Sequence, residues 1–197
     1  MYICDIMRRI IIVLAAVLAL AGCSKGDVYL GGSGYVKVDG VKKMSLKYAY
    51  GSNRKQGTRD FWYIFEDKQE VGALNYEKSN VFMNHIVDDE GVERPWAVTV
   101  HGVPGCEDIY LSGIERDEEG YYYKKLAHFI KEGEEPEYIT YRVKIDKFKF
   151  DRHYSFGTLQ TNLKADITIT SDAFDYAVRI VYSGPTTDDG MEYRQDD

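Results

Sequence analysis

The chain has 197 residues, of which 25 are Lys or Arg and 32 are Asp or Glu, giving a formal net charge of −7. An acidic chain in which no stretch of sequence gathers a basic stripe is a poor match for a phosphate backbone, which argues against nucleic acid as a partner. The length suffices for one domain with a real core and would be cramped for two.

In chain order, Arg8 and Arg9 precede an unbroken apolar run from Ile10 to Ala21. As a helix those residues would reach roughly 18 Å, short of the roughly 30 Å of a hydrocarbon core. A short apolar stretch behind two arginines and ahead of small residues reads as a secretory signal, not a span. Asp5 is out of place in a basic leader, so Met7 is the expected start.

Leu20-Ala21-Gly22-Cys23 closes the segment. It resembles the lipobox of bacterial lipoproteins. That resemblance implies a signal peptide over 1–22, a diacylglycerol thioether on Cys23, cleavage before it and further acylation of the new amino group. The implied partner is a membrane, held through the lipid on Cys23, and the implied location is the bacterial cell envelope, at the outer membrane. Removal of the leader takes Cys4 with it and leaves 175 residues with a charge of about −8. Cys106 is then the sole free thiol, so no intrachain disulfide can form.

Residues 23–34 read as a lipidated N-terminus and glycine-rich tether, 35–184 as one β domain, and 185–197 as a frayed acidic tail. Within the domain the apolar period is two. Tyr35–Val38 and Val41–Tyr50 flank Asp39-Gly40, whose composition predicts a hairpin turn with positive φ at both residues. Further strands are expected at Phe61–Glu66, Val81–Val87, Trp96–His101, Ile109–Ile114, Tyr121–Ile130, Tyr138–Phe150, Leu163–Thr170 and Tyr176–Tyr182. Asp67–Lys78 admits a helix, weakened by Gly72, and Tyr121–Ile130 could also be helical. In Tyr138–Phe150 the alternation Ile139, Tyr141, Val143, Ile145 slips to Phe148 and Phe150, which predicts a bulge near Asp146-Lys147. The fold class that follows is all-β, an antiparallel sandwich or barrel of about eight to ten strands.

Gly34-Tyr-Val-Lys-Val-Asp-Gly40 and Tyr176-Ala-Val-Arg-Ile-Val-Tyr-Ser-Gly-Pro185 resemble segments of small surface or periplasmic lipoproteins from Bacteroides-type bacteria. The resemblance implies an all-β fold and no particular activity.

No pattern specifies a reaction, and an enzyme is not the expectation. His85, His101, His128 and His153 stand at none of the usual metal spacings, so neither a metal nor a cofactor is expected. His101 and Cys106 flank Gly102-Val-Pro-Gly105, but Glu107 and Asp108 make that loop acidic, the wrong setting for a thiolate nucleophile. Asp88–Gly91 and Asp117–Gly120 read as solvated hairpin tips. Aromatics are the one excess, with 17 tyrosines and runs at Phe61-Trp62-Tyr63 and Tyr121-Tyr122-Tyr123. Three successive aromatics in a strand must face both ways, which makes Trp62, Tyr63, Trp96, Tyr121, Tyr122 and Tyr123 candidate binding residues for a protein, a glycan or a small apolar ligand. Tyrosine is also a strong strand former, so the same residues suit a core. The expected function is a lipid-anchored envelope domain with a binding or structural role. Its alternatives are a lipocalin-like barrel around a small apolar ligand and an envelope hydrolase.

Overall fold

A computed structural model describes residues 31–52, 60–67, 78–131, 133–155 and 158–188. The signal segment, Cys23, most of Asp67–Lys78 and the last nine residues lie outside these. The chain divides at Leu30/Gly31, and every described residue belongs to the unit Gly31–Asp197.

All regular structure among the described residues is strand. β1 (Ser33–Val38) and β2 (Val41–Leu46) form the first hairpin, with φ of 48° at Asp39 and 75° at Gly40, as an Asp-Gly turn requires. β3 (Tyr48–Ser52), β4 (Asp60–Phe65), β5 (Asn80–Val87), β6 (Glu93–His101) and β7 (Ile109–Ser112) follow. Next come β8 (Glu115–Asp117), β9 (Gly120–Leu126) and three long strands, β10 (Tyr138–Ser155), β11 (Thr158–Ser171) and β12 (Phe174–Asp188).

These strands form one twelve-stranded sheet in the order β7-β6-β5-β4-β3-β12-β11-β10-β9-β8, with β1 on β12 and β2 on β1. Two strands more than expected have separate causes. Val41–Tyr50 divides at Lys47, whose amide turns away from the hairpin and donates to the Phe65 carbonyl on β4. β8 is a charged Glu-Arg-Asp edge with no apolar alternation to announce it. One pairing also departs from the antiparallel expectation, because Thr186–Asp188 of β12 runs parallel to Ala49–Gly51 of β3.

The sheet curls so that one face encloses the core. The register of β10 against β11 shifts between Ile145 and Lys147, where the phase of the sequence slips. That extra residue turns Phe148 and Phe150 to the same face as Tyr141 and Val143. The far half of β10 then lies across β4, β5 and β6. Phe150 sits 5.6 Å from Trp62 and 4.4 Å from His85, ring centre to ring centre. Its amide donates to Glu93 on β6, and the other Glu93 oxygen takes Arg152 at 2.6 Å. Tyr141–Val143 on β10, Leu163–Ile169 on β11 and Val178–Tyr182 on β12 alternate into the same interior as Ile64, Val81 and Val98.

Both ends of the domain differ from the sequence boundaries. β1 begins at Ser33, so Ser33 and Gly34 belong to the sheet and not to the tether. Glycine at 34 serves close approach, since a Cβ there would strike the Val181 carbonyl and stand 2.9 Å from the Tyr182 Cα. At the other end, β12 takes in Pro185–Asp188. The Tyr182 hydroxyl donates to the Pro185 carbonyl at 2.7 Å and holds that extension down.

Candidate functional site

The two aromatic runs go to different places. Trp62 points into the core, 1% exposed. Phe61 and Tyr63 point to the opposite face of β4, where Tyr63 meets Phe82 at 4.8 Å and Phe65 at 6.2 Å. Tyr48, Tyr50, Tyr63 and Phe65 form a second, smaller apolar cluster there. Trp62 is therefore closed to a partner, whereas Tyr63 is only partly buried. The rings that would line a lipocalin-like cup, Trp62, Phe150 and Tyr141, are buried and packed on their neighbours.

Tyr121, Tyr122 and Tyr123 alternate across β9. Tyr121 and Tyr123 pack against the core, and Tyr123 lies 6.2 Å from Tyr141. The Tyr121 ring also lies beneath two guanidinium groups, Arg94 at 5.5 Å and Arg116 at 5.7 Å. Tyr122 faces the other way, with Lys124 and Arg142 over its ring and its hydroxyl donating to Glu115 at 2.8 Å. Arg142 in turn binds Asp117 at 2.8 Å and Glu119 at 2.6 Å. Burial pushes the Asp117 carboxyl up, but the Arg142 hydrogen bond and charge, with the turn amides, hold it below the ordinary carboxylate value.

Trp96 joins this neighbourhood through the backbone. Its carbonyl accepts from Gly113 and Ile114, and the Ile114 carbonyl accepts from Arg94, the residue over Tyr121. The structure thus links Trp96 to Tyr121 and separates both from Trp62 and Tyr63.

Beyond β9 the hairpin end presents side chains that the sequence reading passed over. Leu126 pairs with Tyr138 across the β9–β10 ladder, and the Ala127 amide donates to Glu137 to extend it. The Lys131 amide donates to the Glu134 carboxylate, and Glu134 donates back to the Lys131 carbonyl. On this pinned loop Phe129 is 97% exposed, and Leu126, Ile130 and Tyr138 are about half exposed. Single exposed apolar residues are ordinary, but four at one hairpin end make a patch of the kind that marks interaction sites. The sequence signal was the Phe129-Ile130 pair directly before the charged Lys131–Glu137 loop.

The histidines divide as well. His85 is buried against Phe150 and Phe148. His128 lies 3.7 Å from Glu134 and 3.9 Å from Glu137 in the exposed hairpin end, and the His153 side chain is outside the described residues. His101 Nδ1 meets Asp108 at 2.6 Å, and Asp108 also accepts from the Tyr110 hydroxyl and the Gly102 amide. Cys106 in the same loop donates to the Glu107 carbonyl at 3.0 Å. Burial pushes its thiol up, with Asp108 and Glu107 adding to the effect, so it is a poor nucleophile. The Asp108 cluster pins a loop.

A pH dependence follows from that cluster. Burial raises the Asp108 carboxyl, but the bonds from Gly102, His101 and Tyr110 outweigh it and leave it below the ordinary value. A carboxyl depressed in the folded state stabilises above its unfolded pKa, about 4 for Asp, and that contribution is lost as pH falls through the lower folded value. Protection of the Gly102 amide from hydrogen exchange, corrected for intrinsic rate, should therefore decline below about pH 4. Asp108→Asn should flatten the decline. An Asp108 chain that keeps full protection down to about pH 2 would show that the carboxylate does not hold the loop.

Residues 7–24 match the family model of the prokaryotic membrane lipoprotein lipid attachment site. The match opens at Met7 and takes in Cys23. Together with the all-β fold it supports a bacterial lipoprotein, a β domain held by lipid at the cell envelope. No curated protein and no solved structure matches the chain, so the resemblance to Bacteroides-type lipoproteins gains no support from them.

Proposed function

We propose that this lipid-anchored β domain is a binding module whose β9–β10 end takes a protein partner. The observation that carries the reading is the exposed group formed by Leu126 and Tyr138 at the strand ends and Phe129 and Ile130 on the connecting loop, which backbone bonds hold. Water around a fully exposed phenylalanine is unfavourable by about 1.5–3 kcal/mol relative to burial. A pinned loop also loses little further entropy when it docks. Tyr122, with Lys124 and Arg142 over its ring, lies on the same outward phase of β9 as Leu126 and supplies a polar flank to that apolar centre.

Along β10 the patch lies well away from the point where the tether enters the sheet. Ser33, where the tether enters, aligns with Ser183, Lys164 and Lys149 across four strands. Tyr138 starts β10 eleven residues before Lys149, which is roughly 35 Å along the strand. A photo-crosslinking side chain at position 129, in the full chain in living cells, should give one discrete protein adduct. Ile130→Asp in the same chain should remove the adduct and leave stability within about 0.5 kcal/mol, as for other exposed substitutions. No adduct beyond that of the same probe at position 89 would contradict the reading.

A further inference from the structure

Strand pairing builds a surface that no stretch of sequence contains. On the outer face of β2-β1-β12-β11-β10, Lys42, Lys37, Arg179, Thr168 and Lys144 stand in one cross-strand row. The next row carries Tyr35, Val181, Asp166 and Lys147, and the third Ser33, Ser183, Lys164 and Lys149. Each strand supplies only one to three cations, which is why the chain reads as lacking a basic stripe.

Two carboxylates lie within this face and both are engaged. Asp166 takes Arg179 at 2.7 Å and 2.9 Å, and Asp146, at the bulge, takes Lys144 at 2.9 Å. Asp39, Asp151 and Asp175 lie at its margins. Within these three rows, seven cations against two anions leave five positive charges, on a chain whose net charge is −7. Lys42, Lys147, Lys149 and Lys164 have no ion pair among the described residues. Lys37 lies over the Tyr35 ring. Moreover Lys37 stands directly opposite Lys42, and Lys149 directly opposite Lys164. Like charges so placed weaken a sheet, and an anionic surface across from them would turn that cost into attraction.

The anchor selects the anionic surface. Ser33 is in the third row, and only nine residues separate it from Cys23, ten steps of chain with a reach of at most about 36 Å. Lipid on Cys23 keeps this face within that distance of a bilayer, where weak attractions between lysines and anionic headgroups act at high local concentration. We propose that the β2-β1-β12-β11-β10 face lies against the anionic headgroups of the membrane that holds the lipid. The partner is anionic phospholipid, recognised by charge and screened by salt.

The test uses the mature lipidated protein in vesicles of phosphatidylcholine, with or without phosphatidylglycerol at about a third of the lipid, and reads lysine acetylation rates by mass spectrometry. Lys42, Lys147, Lys149 and Lys164 should react at least about threefold more slowly on the anionic vesicles, and high salt should restore their rates. Lys125 on β9, which lies over the Tyr141 ring on the opposite face, should react equally on both. Lys42→Glu with Lys164→Glu, each placing a carboxylate opposite a lysine, should abolish the protection at Lys147 and Lys149 while the chain stays folded. Equal rates on the two vesicle types, protection that survives the double substitution, or protection by added duplex DNA but not by anionic lipid would overturn the proposal.

Discussion

Trp62→Ala is expected to lower the unfolding free energy of the mature chain by about 3–5 kcal/mol, a large part of a typical 5–15 kcal/mol total. Trp62 is the largest fully buried side chain, on β4, and its ring lies 5.6 Å from Phe150 of β10. It therefore joins two parts of the sheet that are far apart in strand order, and its loss opens a cavity where β10 crosses β4. Neighbouring strands cannot collapse into that space without breaking the Phe150–Glu93 and Arg152–Glu93 bonds.

The chemistry of the indole refines the expectation. Its Nε1 is buried and has no hydrogen-bond partner among the described residues. An unpaired buried donor is unfavourable, so Trp62→Phe removes a penalty along with some volume. It should lose less than half as much stability as the alanine variant. Guanidinium unfolding of the three chains measures both differences. A loss under about 1 kcal/mol for Trp62→Ala would mean that β10 does not close over β4, because filled cores do not tolerate so large a deletion at that cost.

Local features were legible where the sequence itself carries the geometry. Asp39-Gly40 names its turn because both residues must take positive φ. The slip from Ile145 to Phe148 names the bulge because a strand has a strict period of two. What stayed hidden depends on partners distant in the chain. Lys47 breaks Val41–Tyr50 in two only because Phe65 offers it a carbonyl. Gly34 looked like flexible tether until the Val181 backbone showed why no Cβ fits. In Phe61-Trp62-Tyr63, alternation correctly sends neighbours to opposite faces but says nothing of which face Phe150 will cover. The same holds for the surfaces. Lys149 and Lys164 are fifteen residues apart and become neighbours through the β10–β11 register alone, while exposure of Phe129 is a property of the folded hairpin end.

The second large effect is expected at Cys23, which lies outside the described residues but within the matched attachment segment. Each buried lipid CH₂ contributes about 0.8 kcal/mol, so one acyl chain holds a protein only marginally and two or more hold it stably. No helix among the described residues is long and apolar enough to cross a membrane. Removal of the thiol removes the attachment atom itself. Cys23→Ala should therefore change the distribution of the protein from nearly all membrane-bound to uncleaved or released.

Metabolic labelling with a fatty-acid analogue, followed by detergent phase partitioning of the wild-type chain and Cys23→Ala, tests the lipid anchor most directly. The wild-type chain should carry label and enter the detergent phase, and Cys23→Ala should carry none and fail to mature. Label and detergent partitioning retained by Cys23→Ala would contradict the anchor, and with it the membrane-facing role assigned to the basic sheet face.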